Sequence, residues 1–320
     1  MGSGFEAGGW GPVAIKKWRM PAPVPTFGPN LLANGDMESG DPPTDWVAGA
    51  NTQLASVVDA RPGSAGTKSM QMMASASATT LSATQTFSAN VGDWIRITGW
   101  WNRGTSNNGS NASPYTAFHN YFTGGHKLIA GWQALMPFTG RISTLPTSLF
   151  VSTKNTPAAS GYSGFYDDLA VQIINPASMF SALPSATENP TVSCGVYRLK
   201  QSFPGVEVFV PSQAGLISRL DDTANPLNFV LAYFWGGTNK IAVDKCVNGV
   251  YTNLISDTTT RTNGSQLSIS WSGNVTTVYC NGVQVGTPQT IADASIVGNV
   301  HHGLFSTYEG GSFSGFQITP

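Results

Sequence analysis

The C-terminal part of this chain is a succession of short apolar runs cut apart by turn residues, and that punctuation constrains the fold more than any other feature. The runs Gly205–Val210, Leu216–Leu220, Leu227–Trp235, Lys240–Val247, Gln266–Trp271, Val275–Cys280 and Val283–Gly286 are separated by Asp, Asn, Gly and Pro. Runs of this length suit strands, and a series of seven or more indicates a sandwich. Cys280-Asn-Gly-Val283 is a hairpin signal, because Asn281-Gly282 suits the positive φ angles of a type I′ turn. Upstream, Val91-Gly-Asp93 precedes the clearest strand of all. In it Ile95, Ile97 and Trp101 share one face, and Trp94, Arg96, Thr98 and Trp100 share the other.

A chain of 320 residues is long enough for two domains, each with its own core. Only 10% of the residues are charged and the net charge is −1, which leaves no electrostatic footprint for nucleic acid. Hydrophobic residues make up 41% and aromatics 11%, ample for packing. Cys194, Cys246 and Cys280 are odd in number and lack a Cys-x-x-Cys spacing. They predict buried free thiols rather than a disulfide framework or a zinc site, and a reducing compartment for folding. The N-terminus shows neither an apolar signal segment nor a myristoylation motif (Glu6 stands where Ser or Thr is needed), and no stretch predicts membrane insertion.

Two distant stretches pair up as the ends of one module. Asn30-Leu-Leu-Ala-Asn-Gly-Asp-Met-Glu-Ser-Gly40, followed by Trp46, combines an apolar pair with an Asn34-Gly35 turn. Gly164-Phe-Tyr-Asp-Asp-Leu-Ala-Val171 alternates with the period of a half-buried strand. Together they resemble the first and last strands of carbohydrate-binding-module jelly rolls, with Met37 where that pattern favours Phe. The resemblance covers roughly residues 30 to 175. Residues 214–222, Asn228–Tyr233, Tyr279–Val283, His302–Thr307 and Phe313–Phe316 resemble laminin-G-like, concanavalin-type jelly rolls. The expected fold is therefore all-β: an extended arm over 1–29, a β-sandwich over 30–175, a Ser/Ala/Pro-rich linker over 176–189, and a second β-sandwich over 190–320.

The arm mixes Gly and Pro with Phe5, Trp10, Trp18 and Phe27, a composition that forbids a helix and predicts extended backbone. Those aromatics are expected to anchor it in a neighbouring subunit. In the first sandwich the polar face carrying Trp94, Arg96 and Trp100 has the form of a sugar platform, where indoles stack on pyranose rings and neighbouring donors take hydroxyls. Tyr115 is grouped with it, from an aromatic segment (Tyr115, Phe118, His119, Tyr121, Phe122) that is either a second wall or core. Asn108 and Asn111 head formal glycosylation sequons, discounted for a chain without an export route. The jelly-roll resemblance implies a structural calcium at the entry and exit strands, and Asp36, Glu38 and Asp168 match those positions. Asp167 is the weaker candidate, since adjacent strand residues point to opposite faces.

Catalytic patterns are missing. No Glu-x-Asp-x-x-Glu strand supplies a glycosidase pair, no Gly-x-Ser-x-Gly elbow occurs, and His119, His126, His301 and His302 lack triad partners. The sequence thus predicts a non-enzymatic protein. Lectin-like modules without an export signal fit a bacteriophage virion protein, made in the host cytoplasm and exposed on the particle. Its partners would be other virion proteins, copies of itself and a host-surface glycan. The rival expectation is a carbohydrate-binding accessory of a secreted polysaccharide-degrading system.

Overall fold

A computed structural model describes residues 20–320 apart from 77, 104–112, 119–120, 124–130, 146, 160–162, 186, 188, 199, 204–205, 211 and 236–239, with backbone alone for parts of the strands beside these gaps. Among the described residues, the strands named below pair antiparallel throughout. The first sandwich contains β1 (Phe27–Asn30), β2 (Val47–Ala48), β3 (Thr52–Val57), β4 (Ser69–Ala74), β5 (Ala78–Phe87) and β6 (Trp94–Arg103). It continues with β7 (Ser113–Phe118), β8 (Tyr121–Thr123), β9 (Trp132–Ala134), β10 (Phe138–Arg141), β11 (Thr147–Ala159) and β12 (Ser163–Ile174). One sheet runs β10-β6-β12-β4-β3, with β1 added on β12 and β9 on β6; the other runs β2-β5-β11-β7-β8. Ile95, Ile97, Trp101, Met70, Met72, Leu149, Val151 and Tyr166 fill the space between them, as the alternation in β6 and β12 requires.

The paired end motifs meet as expected. Asn30 accepts from the backbone N–H groups of Val171 (3.0 Å) and Leu32 (3.2 Å) and donates to the Leu169 carbonyl (3.0 Å). Asn34, at φ 50°, closes the following turn by exchanging hydrogen bonds with Ser39. Gly35 lies so near the Leu169 carbonyl that a Cβ there would collide with backbone. Asn and Gly in this motif therefore serve the strand junction rather than a ligand.

The second sandwich contains β13 (Phe180–Pro184), β14 (Thr191–Tyr197), β15 (Lys200–Phe203), β16 (Val206–Phe209), β17 (Ala214–Leu220), β18 (Phe229–Trp235) and β19 (Lys240–Val247). After these come β20 (Val250–Ser256), β21 (Gln266–Ser272), β22 (Val275–Cys280), β23 (Val283–Thr290), β24 (His301–Ser306) and β25 (Ser312–Thr319). Its sheets run β13-β24-β17-β18-β19-β20 and β23-β22-β21-β14-β25, with β15-β16 a separate hairpin. Asn281 and Gly282 take φ of 51° and 78°, the type I′ geometry predicted for that hairpin. All three cysteines are free and buried.

Two of the expected boundaries shift. Residues 20–29 lie on the chain's own surface: Met20 packs on the second core, Pro23 and Pro25 are buried, and Thr26 bonds to Ser178 and Asn175. Phe27, expected to anchor the arm in a neighbouring subunit, begins β1 opposite Ile174 of its own chain. Phe5, Trp10 and Trp18 fall outside the described residues. The expected linker is a single 3-10 turn (Pro176–Met179), begun by the Asn175 cap, and then strand β13. Its Ser/Ala/Pro composition concealed an edge strand, since the pairing partner β24 lies over a hundred residues away.

The sandwiches share a third core. Strands β17 and β18 are buried along both faces. Leu216, Val230, Ala232 and Phe234 point into the second sandwich, while Ile217, Phe229, Leu231 and Tyr233 point at the first. Trp94 of β6 enters that outward face, 4% exposed, with ring centroids 5.6 Å from Phe305, 6.1 Å from Tyr233 and 6.2 Å from Tyr251 in edge-on contacts. Its indole N–H donates to the Tyr251 hydroxyl at 3.1 Å. Polar contacts flank it. Arg141 pairs with Asp244 (2.9 Å), and Gln213 bonds Thr139 through both ends of its amide (2.8 and 2.9 Å).

Candidate functional site

The outward face of β6 divides at Arg96. Trp94, the first of the three predicted platform residues, is closed off between the sandwiches and offers no ring face to a ligand. The period-2 pattern placed it correctly on the outer face, but a neighbouring domain covers that part of the sheet. Tyr115 lies on β7 of the opposite sheet, away from the platform, and its side chain is outside the described set.

Arg96 and Trp100 remain together. With Arg61, Thr98, Leu135, Pro137 and Asp168 they line an open basin of about 590 Å³ on the seven-stranded sheet. The Arg96 guanidinium lies over the Phe27 ring at 4.3 Å and 5.9 Å from the Tyr308 ring, so β1 and the second sandwich both hold it in place. Its Nε is buried without a hydrogen-bond partner. The half-buried Trp100 carries the Arg61 guanidinium 4.7 Å from its ring centroid.

An irregularity in β12 supplies the carboxylate. The register with β6 shifts between Asp167 and Ala170, and Asp168 adopts φ 46°, the left-handed region. The two acids consequently diverge. Asp167 is fully buried and accepts from the backbone N–H of Arg61 (2.9 Å) and of Asp168 (2.8 Å). Desolvation by burial raises its pKa, opposed by those hydrogen bonds. Asp168 faces the basin, where Arg61 Nε donates to it at 2.6 Å and Ser64 Oγ lies 3.3 Å away. Sequence reasoning missed Arg61, an isolated cation before a Pro-Gly turn. Only the tertiary pairing with Asp168 marks it.

The expected calcium ligands are not brought together. Glu38 accepts from the backbone N–H groups of Thr67 (2.7 Å) and Lys68 (2.6 Å) and fastens their loop. Those hydrogen bonds outweigh desolvation and lower its pKa. Asp36 is exposed, and Asp168 is paired with Arg61. Among the described residues no group of three or more His, Cys, Asp or Glu could hold a metal ion. The donors do not fit calcium, because a guanidinium stands where the ion would neutralise Asp168.

No protein-family model matches the sequence, and no curated protein matches it. Solved structures do. The tandem CBM22-1–CBM22-2 domains of Xyn10C from Paenibacillus barcinonensis align at 11% identity over 93% of this chain and 98% of that one, with a TM-score of 0.35. The carbohydrate-binding module CBM66 from Bacillus subtilis aligns at 16% identity over 44% of this chain and 82% of that one (TM-score 0.33). The enzymatically active domain of bacteriophage CBA120 tailspike protein 4 aligns over 45% of this chain but only 21% of its own length, at 10% identity and a TM-score of 0.34. These are what the chain is similar to; its two β-sandwiches are given by its own strand topology.

Proposed function

We propose that this chain is a non-catalytic saccharide-binding protein, an attachment module that brings a partner activity or a particle to polysaccharide. One observation carries the reading: a half-buried indole, Trp100, set in an open basin beside a fixed guanidinium–carboxylate pair and a second cation, Arg96. A sugar ring presents an apolar C–H face and a girdle of hydroxyls that both donate and accept. The basin offers the counterpart of each: indole surface, N–H donors on Arg61 and Arg96, and an acceptor on Asp168. Because Arg61 lies over one side of the indole, the ring meets the sugar with its remaining surface, and the ion pair serves the hydroxyls.

An accessory role in a polysaccharide-degrading system suits this reading better than a virion role. The anchoring proposed for the virion case rests on Phe5, Trp10 and Trp18, outside the described residues, while Phe27 is occupied within its own sandwich. The test is affinity electrophoresis in gels containing xylan, β-glucan or galactomannan. At least one polymer should retard the protein, and Trp100→Ala should abolish the retardation while leaving the circular dichroism unchanged. Equal retardation of the variant, or none with any polymer, overturns the proposal.

A further inference from the structure

A buried carboxylate at the seam of the two sandwiches organises another cavity. Asp244 on β19 is fully buried. The β19–β20 register shifts between Val243 and Asp244, and this bulge sets Asn253 opposite the carboxylate. Three donors converge on it: Arg141 of the first sandwich (2.9 Å), the Tyr233 hydroxyl (2.7 Å) and Asn253 Nδ2 (2.8 Å). Ser256 Oγ in turn donates to Asn253 Oδ1 at 2.8 Å. Arg141 is held from a second side by the Tyr251 ring, 4.3 Å from its Cζ. Asp244 is therefore a positioning residue. Its oxygens are taken up in orienting the groups around it.

Apart from Tyr251, these groups line a cavity of about 370 Å³, which also takes in Trp235, Lys240 and Asp257. Trp235 and Lys240 are cross-strand neighbours on β18 and β19, and Asp257 directly follows β20. Both lining carboxylates are already paired, Asp244 with Arg141 and Asp257 with Arg261 (2.9 Å each), so neither is open to a cation and the lining suits a neutral, hydroxyl-rich ligand. An indole beside fixed donors and acceptors suits a pyranose ring, and the volume sits at the lower end of the roughly 300–1,000 Å³ of small-molecule sites. We infer that this seam cavity is a second saccharide site, taking a neutral mono- or disaccharide and complete only when both sandwiches are docked, because Arg141 comes from one and the other lining residues from its neighbour. It shares no lining residue with the Trp100 basin, so either site stands if the other fails.

The experiment follows the Trp235 indole N–H in nitrogen-15-labelled full-length protein, its resonance assigned from a Trp235→Phe sample. Xylobiose, cellobiose and lactose are titrated in turn. At least one should shift that resonance saturably, and the shift should persist in Trp100→Ala. Lys240→Met, a rim substitution, should weaken the binding about tenfold, as expected for one charge-assisted hydrogen bond. Absence of a Trp235 shift with all three sugars overturns the inference. So does a shift that disappears in Trp100→Ala, or one that Lys240→Met leaves unaltered.

Discussion

Replacing Trp94 with Ala tests the shared core directly. The indole is 4% exposed, so the substitution empties nearly all of its volume at the junction. A Trp side chain buries about 200 Å², and at about 25 cal/mol per Å² that amounts to ~5 kcal/mol. The figure agrees with the ~3–5 kcal/mol typical of Trp→Ala in a core. The edge-on contacts with Phe305, Tyr233 and Tyr251 and the hydrogen bond to Tyr251 go with it. What distinguishes this site from an ordinary core position is where the loss falls. Trp94 contacts the second sandwich, so the substitution removes coupling between the domains rather than the packing inside either. Calorimetry should show the native protein melting in one transition, with van't Hoff and calorimetric enthalpies equal, and Trp94→Ala melting in two. Trp94→Phe keeps a ring and gives up one hydrogen bond, about 1 kcal/mol, and should retain a single transition. A single, unshifted transition in Trp94→Ala would refute the reasoning.

Other expectations concern protons and metal. His302 is 1% exposed and accepts at Nδ1 from the Arg219 backbone N–H (3.3 Å) and from Ser218 Oγ (2.7 Å). Burial, reinforced by the Arg219 charge, holds its pKa at about 4 against an ordinary 6.5. The unfolded chain thus binds a proton between those values that the folded one refuses. The contribution is intact above pH 6.5 and is lost as pH falls toward 4, up to about 3 kcal/mol in all. Urea titrations across that window should show a slope that His302→Asn flattens; equal slopes would remove the assignment. Calcium or a chelator should leave the melting temperature unchanged, because Arg61 already neutralises Asp168. A drop of more than about 2 °C on chelation would contradict that reading.

Much of the fold was legible because alternation is a local signal. The β6 pattern sorted Ile95, Ile97 and Trp101 from Trp94, Arg96 and Trp100 correctly, and the Asn30 and Asn34 motif located the junction of first and last strands. Period-2 reasoning assigns a face; it says nothing about what covers that face. The clue lay in the other domain: Phe229-Val-Leu-Ala-Tyr-Phe-Trp235 is apolar on both parities, as in a strand buried on both sides. β13 escaped notice because its pairing depends on distant β24, and Arg61 because no local pattern links it to Asp168. The surroundings of the acids assigned to calcium were hidden for a related reason. Resemblance carried the acids over, but the guanidinium facing Asp168 comes from a loop outside the motif.

The double-sided burial of β17 and β18 also bears on how the chain can be divided. Severed near residue 176, the C-terminal half would keep Phe180 on Phe229 and Phe305 but lose Trp94, Ile174 and Phe27 from that face, uncovering a greasy patch around Ile217, Leu231 and Tyr233. Such a fragment would clump with its own kind before meeting any sugar. For this molecule the smallest piece that stays in solution is the pair.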